Sequence, residues 1–516
     1  MRRIGIDVGG TNTDAVLLED GRVVHAVKTP TTEDVTTGIV TSLGLLTRHP
    51  EVAHGAIDGV VIGTTHFVNA VIQRRNLARV AAIRIGLPAS ASLPPFYDWP
   101  LELTELVRGA VFMLEGGHEY DGREFMPFDE AGMRDAARQI RDNRLRAVAI
   151  ASSFSPLDAS HEERARAILA AECPDAAVTL SHELGRIGLL ERENAALLNA
   201  ALADLARVTI AGFREAIASS HIEAPLYLTQ NDGTVMSADA AMALPVMSFA
   251  SGATNSMRGA AFLSGLEDAM VVDVGGTSSD VGQLRRGFPR EANSVVEIGE
   301  VRTLFRMPDL LSIGLGGGSI VTEQPLAVGP RSVGYRLTRE ALVFGGSTLT
   351  ATDAAVAAGV VSIGEPAKAA GVPRKLAQAV LDEARGKLED AIDRMKTEAG
   401  DVPLIAVGGG AFLVPDRLAG VSEVIRVAHG DCANAVGAAI AQISGETDQV
   451  YREMTRDEAI AAAEAQAVER AVAAGADRAS LQTVDVEDMP LAYLPGNALR
   501  VRVRVAGEMR SPAAGG

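Results

Sequence analysis

Cysteine is nearly absent: 516 residues contain two, Cys173 and Cys432, far apart and away from histidine clusters. That excludes a disulfide scaffold and any zinc-finger spacing, and it fits a reducing compartment. Positive charge is short too, 48 Lys+Arg against 66 Asp+Glu, for a formal net charge of −18. Phosphate-binding surfaces need clustered Lys and Arg, so this balance argues against nucleic-acid and anionic-membrane partners. No run approaches the roughly 18 consecutive apolar residues of a membrane helix. The opening Met-Arg-Arg-Ile-Gly-Ile-Asp enters a strand pattern directly, without the apolar core of a signal peptide. A cytoplasmic protein is expected. What remains, 47% hydrophobic and 22% charged residues, is an ordinary globular composition with length for about three folded units.

One internal repeat organises the chain. Residues 7–14 read DVGGTNTD and residues 273–280 read DVGGTSSD, with six of eight positions identical. Each copy follows a short apolar strand (Ile4 to Ile6, Met270 to Val272) and precedes another strand and a turn at Asp20-Gly21 or Arg286-Gly287. The unit is therefore strand, Gly-Gly-Thr turn, strand, built twice. A Rossmann fingerprint or a P-loop requires a helix after its glycines, because helix N–H groups hold the phosphates. Here a strand follows and no Gly-Lys-Ser/Thr occurs, which disfavours both.

Elsewhere helices and strands alternate. Val60 to Ile62 leads into Gly63-Thr64-Thr65-His66-Phe67-Val68-Asn69-Ala70, a turn opening a helix. Arg79 to Ile85 and Ala147 to Ala151 read as strands, and 116–124 as a surface hairpin. Helical spacing over 186–219 marks a link between halves. After the second copy come the dense glycine loop 312–319, an amphipathic helix over Leu376 to Lys396, and a strand over Leu404 to Val407 ending in Gly408-Gly409-Gly410. A small-residue helix, Asn434 to Ile440, follows. Thr455-x-x-Glu458 caps an Ala-rich helix reaching Gly475, and strands near 481–487 and 498–505 flank a Pro495-Gly496 turn, with a frayed tail beyond. The expected division is 1–185, 186–445 and 446–516.

The repeated turn suits phosphate. Its glycines let backbone N–H groups approach an anion, the Thr and Ser hydroxyls add donors, and a carboxylate at each turn can hold Mg²⁺. Two such hairpins face to face grip a triphosphate, leaving Asp7 and Asp273 on the metal side. Gly408 to Gly410 fit an adenosine-contact loop. The loop containing Gly316 and Gly317 can face nucleotide or substrate. Thr64, Thr65, His66 and Asn69 form a polar cluster that reads equally as a substrate-orienting group or as helix capping. Asn255 with Arg258 reads equally as a phosphate or substrate contact or as a helix start. His118, Glu119 and Asp121 read as a solvated turn more readily than as a metal site.

Taken in order, DVGGTNTD, GTTHFVNA at 63–70, SGATNSMRGAA at 251–261, DVGGTSSD, SIGLGGGSI at 312–320 and VGGGAFLVP at 407–415 match one family. The sequence resembles the A subunit of the hydantoinase/oxoprolinase family, over nearly the whole chain to about residue 445. That family belongs to the acetate-kinase, sugar-kinase, Hsp70 and actin superfamily. The resemblance implies an α/β fold of duplicated actin-like (ribonuclease H-like) lobes with a small C-terminal helix–hairpin element. It implies ATP and Mg²⁺, and ATP-dependent opening of a hydantoin- or lactam-like cyclic amide: the carbonyl oxygen is phosphorylated and water attacks the activated carbon. Carboxylase relatives phosphorylate an enolate or bicarbonate instead.

Carried over by residue, Asp7, Gly9, Gly10, Thr11, Asn12, Thr13 and Asp14 match the first phosphate loop. Asp273, Gly275, Gly276, Thr277, Ser278 and Asp280 match the second, and Gly408 to Gly410 the adenosine loop. Asp7 and Asp273, with His66, are the implied catalytic residues; Thr64, Thr65, Asn69 and Asn255 are the implied substrate contacts. Many relatives carry a histidine before the Gly-Thr-Thr, where this chain has Ile62, with His66 after the threonines instead. Single-chain oxoprolinases carry a second, hydrolytic half, so a hydantoinase B-like partner subunit and a hetero-oligomer are expected. A ROK sugar kinase shares Gly-Gly-Thr, but two distant cysteines cannot supply its zinc cluster. A nucleotide-switched Hsp70- or actin-like binding or filament protein remains as an alternative of another class.

Overall fold

The computed structural model describes residues 1–9, 11–30, 35–50, 52, 56–184, 187–292, 295–304, 307–492 and 496–510. Gly10, Pro495 and the 511–516 tail lie outside these residues.

β1 (Arg2–Val8), β2 (Asn12–Glu19) and β3 (Arg22–Pro30) form an antiparallel meander. α1 (Val35–Thr47) leads to β4 (Gly59–Thr64), parallel to β1, and α2 (His66–Ile72) follows. The chain then builds a separate parallel sheet from β5 (Val80–Leu87), β6 (Arg108–Glu115), β7 (Ala147–Ser152) and β8 (Ala177–Leu180), in the order β6-β5-β7-β8. Helices α3 (Leu101–Val107), α4 (Glu130–Asp142) and α5 (Ser160–Glu172) connect its strands. α6 (Leu189–Ala201), almost wholly buried, and α7 (Ala203–Ser219) lead back to β9 (Leu226–Thr229) and β10 (Thr234–Ser237).

After α8 (Ala238–Ala243), α9 (Ser251–Ser264) crosses to the second half. β11 (Ala269–Val274), β12 (Ser279–Arg285) and β13 (Phe288–Pro289) make its meander. Two small hairpins pair β14 (Val296–Ile298) with β15 (Val301–Thr303) and β17 (Ser319–Glu323) with β18 (Leu326–Ser332), while β16 (Leu310–Ile313) pairs with β12. Helices α10 (Leu337–Glu340), α11 (Ala351–Ala357) and α12 (Arg374–Met395) precede β19 (Val402–Val407), parallel to β11, and β20 (Val421–Arg426). The chain ends with α13 (Ala433–Ile440), β21 (Gln442–Tyr451), α14 (Arg456–Ala473), β22 (Gln482–Pro490) and β23 (Leu499–Gly507).

The sheets cut across the division expected from sequence. The first sheet runs β22-β23-β21-β10-β9-β4-β1-β2-β3, so segments 226–237 and 442–507 both extend the sheet that β1 begins. A two-stranded hairpin is marginal alone. Here β23 pairs along β21, and α14 covers the join with Ala459, Ala463, Ala467 and Ala471, all buried at i, i+4 spacing. The expected capping box is present: Thr455 accepts from the Glu458 backbone N–H, and the Glu458 side chain accepts from that of Thr455.

Two helices join the halves backbone to backbone. A Cβ on Gly259 of α9 would lie 1.9 Å from the Ala433 carbonyl oxygen, and one on Gly437 of α13 would lie 1.9 Å from that of Asn255. Only glycine permits this approach. α13 rests equally closely on β1, where a Cβ on Gly5 would lie 2.1 Å from the Ala435 carbonyl oxygen. Among the described residues no single helix is long and apolar enough to cross a membrane; α6 and α7 pass that test only as a pair, bent by 53°.

Candidate functional site

The two repeats fold into the same hairpin. In the first, Asp7 stands opposite Asp14, and the Gly9 N–H donates to the Asn12 carbonyl at 3.0 Å. In the second, Asp273 stands opposite Asp280, and the Gly275 N–H donates to the Ser278 carbonyl at 2.9 Å. The tips meet: a Cβ on Gly276 would lie 3.2 Å from Thr11 Oγ1. Thr277 and Ser278 are exposed at the second tip, whereas Thr13 is buried within β2.

Beneath the tips lie four carboxylates. Asp7 is 4% exposed, and its pKa is raised to about 7 by burial first, then by the charges of Asp14 and Asp273. Burial also raises Asp273, to about 6, with Asp280 and Asp14 adding to it. Asp14 and Asp280 are raised by burial as well. Lys28 on β3 lies 2.6 Å from Asp14, and Ser312 hydrogen-bonds Asp280.

α9 and α13 each place one polar side chain on an aspartate. Asn434 Nδ2 donates to Asp7 Oδ2 at 2.8 Å, and Ser256 Oγ donates to Asp273 Oδ2 at 2.5 Å. Asp7 Oδ1 is buried with no hydrogen-bond partner among the described residues. Among those residues no group of three or more His, Cys, Asp and Glu forms a metal cage. An orphan carboxylate oxygen among carboxylates fits Mg²⁺, which takes one or two protein carboxylates and completes its shell with phosphate and water.

The glycine loops divide into bracing and open positions. Gly317 and Gly318 donate to the Gly275 and Gly276 carbonyls (3.0 and 2.7 Å), and the Gly316 N–H donates to Ser319 Oγ (2.8 Å). The Gly316 and Gly317 amides, expected to face nucleotide or substrate, are committed to protein acceptors. Gly410 likewise donates to Val274 and Gly408 to Gly430. At Gly408 φ is +88° and a Cβ would lie 2.2 Å from Asp273 Oδ1, whereas one on Gly409 would meet nothing within 4 Å. Gly409 is the loop's open position.

On the first side, Gly63 is where Asp7, Asn255 and Thr229 converge: its Cβ would lie 2.8 Å from Asp7 Oδ1 and 2.3 Å from Asn255 Nδ2. Asn255 donates to Thr229 Oγ1 at 3.0 Å, and its Oδ1 is buried without a partner among the described residues. The Thr64 N–H donates to Ser251 Oγ, the His66 N–H to Thr64 Oγ1, and Asn69 to Thr65 Oγ1. Thr65 is the N-cap of α2 but makes no side-chain capping bond, and burial lowers the His66 pKa. Two groupings that the sequence allowed do not form. Arg258 turns away to stack over Phe288, 3.8 Å from its ring centroid. His118 is buried against His161, the rings tilted by 45° with centroids 4.5 Å apart, while Asp121 is held by Arg123.

Sequence reasoning missed Lys28, Ser256 and Asn434. Counting back from the Asp20-Gly21 turn pairs Asp14 with Val27; a one-residue bulge between Leu17 and Leu18 brings Lys28 opposite instead. Ser256 and Asn434 lie in runs already singled out, with nothing local to indicate their partners.

Residues 3–173 match the hydantoinase/oxoprolinase N-terminal region, and residues 192–365 match hydantoinase/oxoprolinase. Caprolactamase subunit alpha of Pseudomonas jessenii is 27% identical over 491 residues, covering 84% of this chain and 69% of its own length. The acetophenone carboxylase gamma subunit of Aromatoleum aromaticum is 28% identical over 395 residues, covering 70% of this chain, which spans about half (53%) of that relative. The solved ATP-dependent caprolactamase from P. jessenii superposes with a TM-score of 0.76 at 21% identity, over 99% of this chain and 88% of that one. Nucleotide-free acetone carboxylase gives 0.69 at 18%, over 99% and 89%. These likenesses show the fold, a pair of actin-like α/β lobes. With both family regions matched along its length, the chain belongs to the hydantoinase/oxoprolinase family.

Proposed function

We propose that this chain is the ATP-binding, phosphorylating subunit of an ATP-dependent amidohydrolase acting on a hydantoin- or lactam-like cyclic amide. The observation that carries the reading is the meeting of two identical Asp-Val-Gly-Gly-Thr hairpins, tip to tip, above Asp7 and Asp273. In this reading Gly9 to Asp14 and Gly275 to Asp280 hold the triphosphate, and Gly409 borders the adenosine. Asp7 and Asp273 would hold Mg²⁺, whose charge would offset that of the phosphates. Thr64, Thr65, Asn69 and Asn255 orient the amide, and His66, kept neutral by burial, accepts a proton. An amide carbonyl is a poor electrophile. Transfer of the terminal phosphoryl group to its oxygen activates the carbon, so one water adds there and the ring C–N bond breaks to leave a free amine and an acyl phosphate, which a second water hydrolyses to carboxylate and phosphate. Alignment and charge neutralisation supply most of such a transfer. A hydantoinase B-like partner would complete hydrolysis.

Titration calorimetry with ATP·Mg²⁺ on the wild type and on Asp7→Ala/Asp273→Ala tests this. The reading expects binding weakened at least about 100-fold in the variant, and ATP turnover that rises only with a cyclic amide. No wild-type binding, or turnover indifferent to amides, removes it. The 28% identity with a carboxylase subunit favours a second reading, a carboxylase subunit, distinguished by ATP turnover that rises with bicarbonate and a ketone.

A further inference from the structure

The inserted sheet β6-β5-β7-β8 is parallel throughout; from β5 the chain adds β6 on one side and β7 and β8 on the other. In open parallel sheets of this kind, small molecules bind in the crevice outside the strand carboxyl ends. A cavity of about 650 Å³ lies there, lined by Ser155 and Leu157 after β7 and by His182 and Leu184 after β8. Its far wall comes from the first sheet, through the 230–232 turn after β9 and residues of β21.

The imidazole in this wall, that of His182, is held from behind by a fully buried carboxylate. Glu162, in the first turn of α5, is fully buried and accepts four hydrogen bonds: from the Ser152 N–H (2.9 Å), Ser181 Oγ (2.6 Å), the His182 N–H (3.1 Å) and His182 Nδ1 (2.7 Å). Buried Arg192 closes the network from behind, donating to Ser181 Oγ and the Ser152 carbonyl. The whole arrangement fixes one imidazole. Nδ1 is committed to Glu162, which leaves Nε2, 3.7 Å from Glu163 and beyond hydrogen-bond reach of it, as the ring nitrogen available to a ligand. Burial opposes charge on His182, but the hydrogen bond and charge of Glu162 outweigh it and raise the pKa, which favours the doubly protonated ring whose Nε2 can donate.

The rest of the lining narrows the ligand. Its guanidinium groups are engaged, Arg500 with Asp448 and Arg470 with the Glu446 carbonyl, which disfavours an anion. Leu157, Leu184, Leu244 and Met247 supply an apolar side. We propose that this cavity binds a small neutral molecule carrying one carbonyl oxygen on a hydrocarbon ring, with His182 Nε2 donating to the oxygen and the leucines and Met247 taking the ring. The cavity wall is tied to the head of α9 through Asn231, which accepts from the Ala250 N–H. None of Thr64, Thr65, His66, Asn69 and Asn255 lines it, so it is a site apart from the one that orients the amide in the function proposed above, and its binding does not rest on that function.

ε-Caprolactam and hexanoate, a neutral lactam and a carboxylate on the same six-carbon skeleton, are suitable probes for calorimetry or saturation-transfer NMR. On the wild type, lactam binding should saturate below about 10 mM and exceed that of hexanoate. His182→Gln and Met247→Trp should each weaken it at least about tenfold while leaving ATP·Mg²⁺ affinity unchanged. Met247→Trp fills the apolar side without touching the Glu162 network, so it reports even if His182→Gln misfolds. Absent lactam binding, binding indifferent to Met247→Trp, or tighter hexanoate binding overturns the proposal. Lactam binding that is lost in both variants of a chain that binds no ATP keeps the pocket and removes the phosphorylating function.

Discussion

The two hairpins share a backbone and differ in what surrounds their charges. Each sets one aspartate directly opposite another, and like charges at such cross-strand positions repel. The first hairpin answers with an ammonium group, Lys28 on Asp14, and an amide, Asn434 on Asp7. The second uses hydroxyls alone, Ser256 on Asp273 and Ser312 on Asp280. The strands alongside differ in the same sense. Next to Asp7, β4 runs through Gly63 into Thr64, Thr65 and His66; next to Asp273, β19 runs into three glycines. One lobe lines the cleft with side chains and the other with bare backbone. A duplicated scaffold thus keeps the phosphate-gripping turn in both copies and leaves the flanks to specialise, the proposed amide side against the proposed nucleotide side.

The largest expected effect tests the unequal cost of the two buried aspartates. Asp7 keeps its proton in the folded state up to about pH 7, whereas the unfolded chain releases it near 3.8. Ionisation therefore favours unfolding: stability falls as pH rises from about 4 to 7 and stays lower above that. For Asp273 the fall ends near pH 6. Without nucleotide or divalent cation, Asp7→Asn should gain on the order of 3 kcal/mol at pH 8, Asp273→Asn less, and neither should gain at pH 4. Denaturant melts at the two pH values check this, and equal gains would erase the contrast between the hairpins.

Removing the one ammonium comes next. Lys28→Met leaves Asp14 buried beside Asp7 without its counter-charge and should cost about 2 kcal/mol. Ser312→Ala, the matching deletion in the second hairpin, should cost about 1 kcal/mol. A smaller loss for Lys28→Met would mean that the first hairpin does not depend on charge.

The smallest effect concerns the helices that connect the copies. Asn434→Ala and Ser256→Ala should each cost about 1 kcal/mol in ATP·Mg²⁺ affinity. Because α9 and α13 touch through Gly259 and Gly437, the double variant should depart from additivity by about 0.5 kcal/mol. Strict additivity would show that the two aspartates are held independently.

Much of this site was legible in the chain. The repeat, its strands and its turns follow from period-2 patterning and glycine chemistry, which act over a few residues. The capping box at Thr455 and the close-packing composition of Asn434 to Ile440 are equally local. The glycine loops were legible only as loops: nothing in 314–318 or 408–410 says that Gly317, Gly318 and Gly410 bond the second hairpin while Gly409 stays open. Lys28 was hidden by a single bulge, because one residue of slip exchanges the two faces of a strand. The Glu162–His182 pair was unreadable, since its members come from a helix and a strand end twenty residues apart.

By itself the sequence determined the duplicated strand–turn–strand unit, the alternation of helices and strands, and the acidic, cysteine-poor character of the chain. All of these arise from neighbours in sequence. The tertiary structure alone decided that the C-terminal hairpin extends the first sheet, that Asn434 reaches back 427 positions to Asp7, and that four like charges share one cleft. Those outcomes depend on which apolar faces bury one another, and burial is a property of the assembled fold rather than of any stretch of the chain.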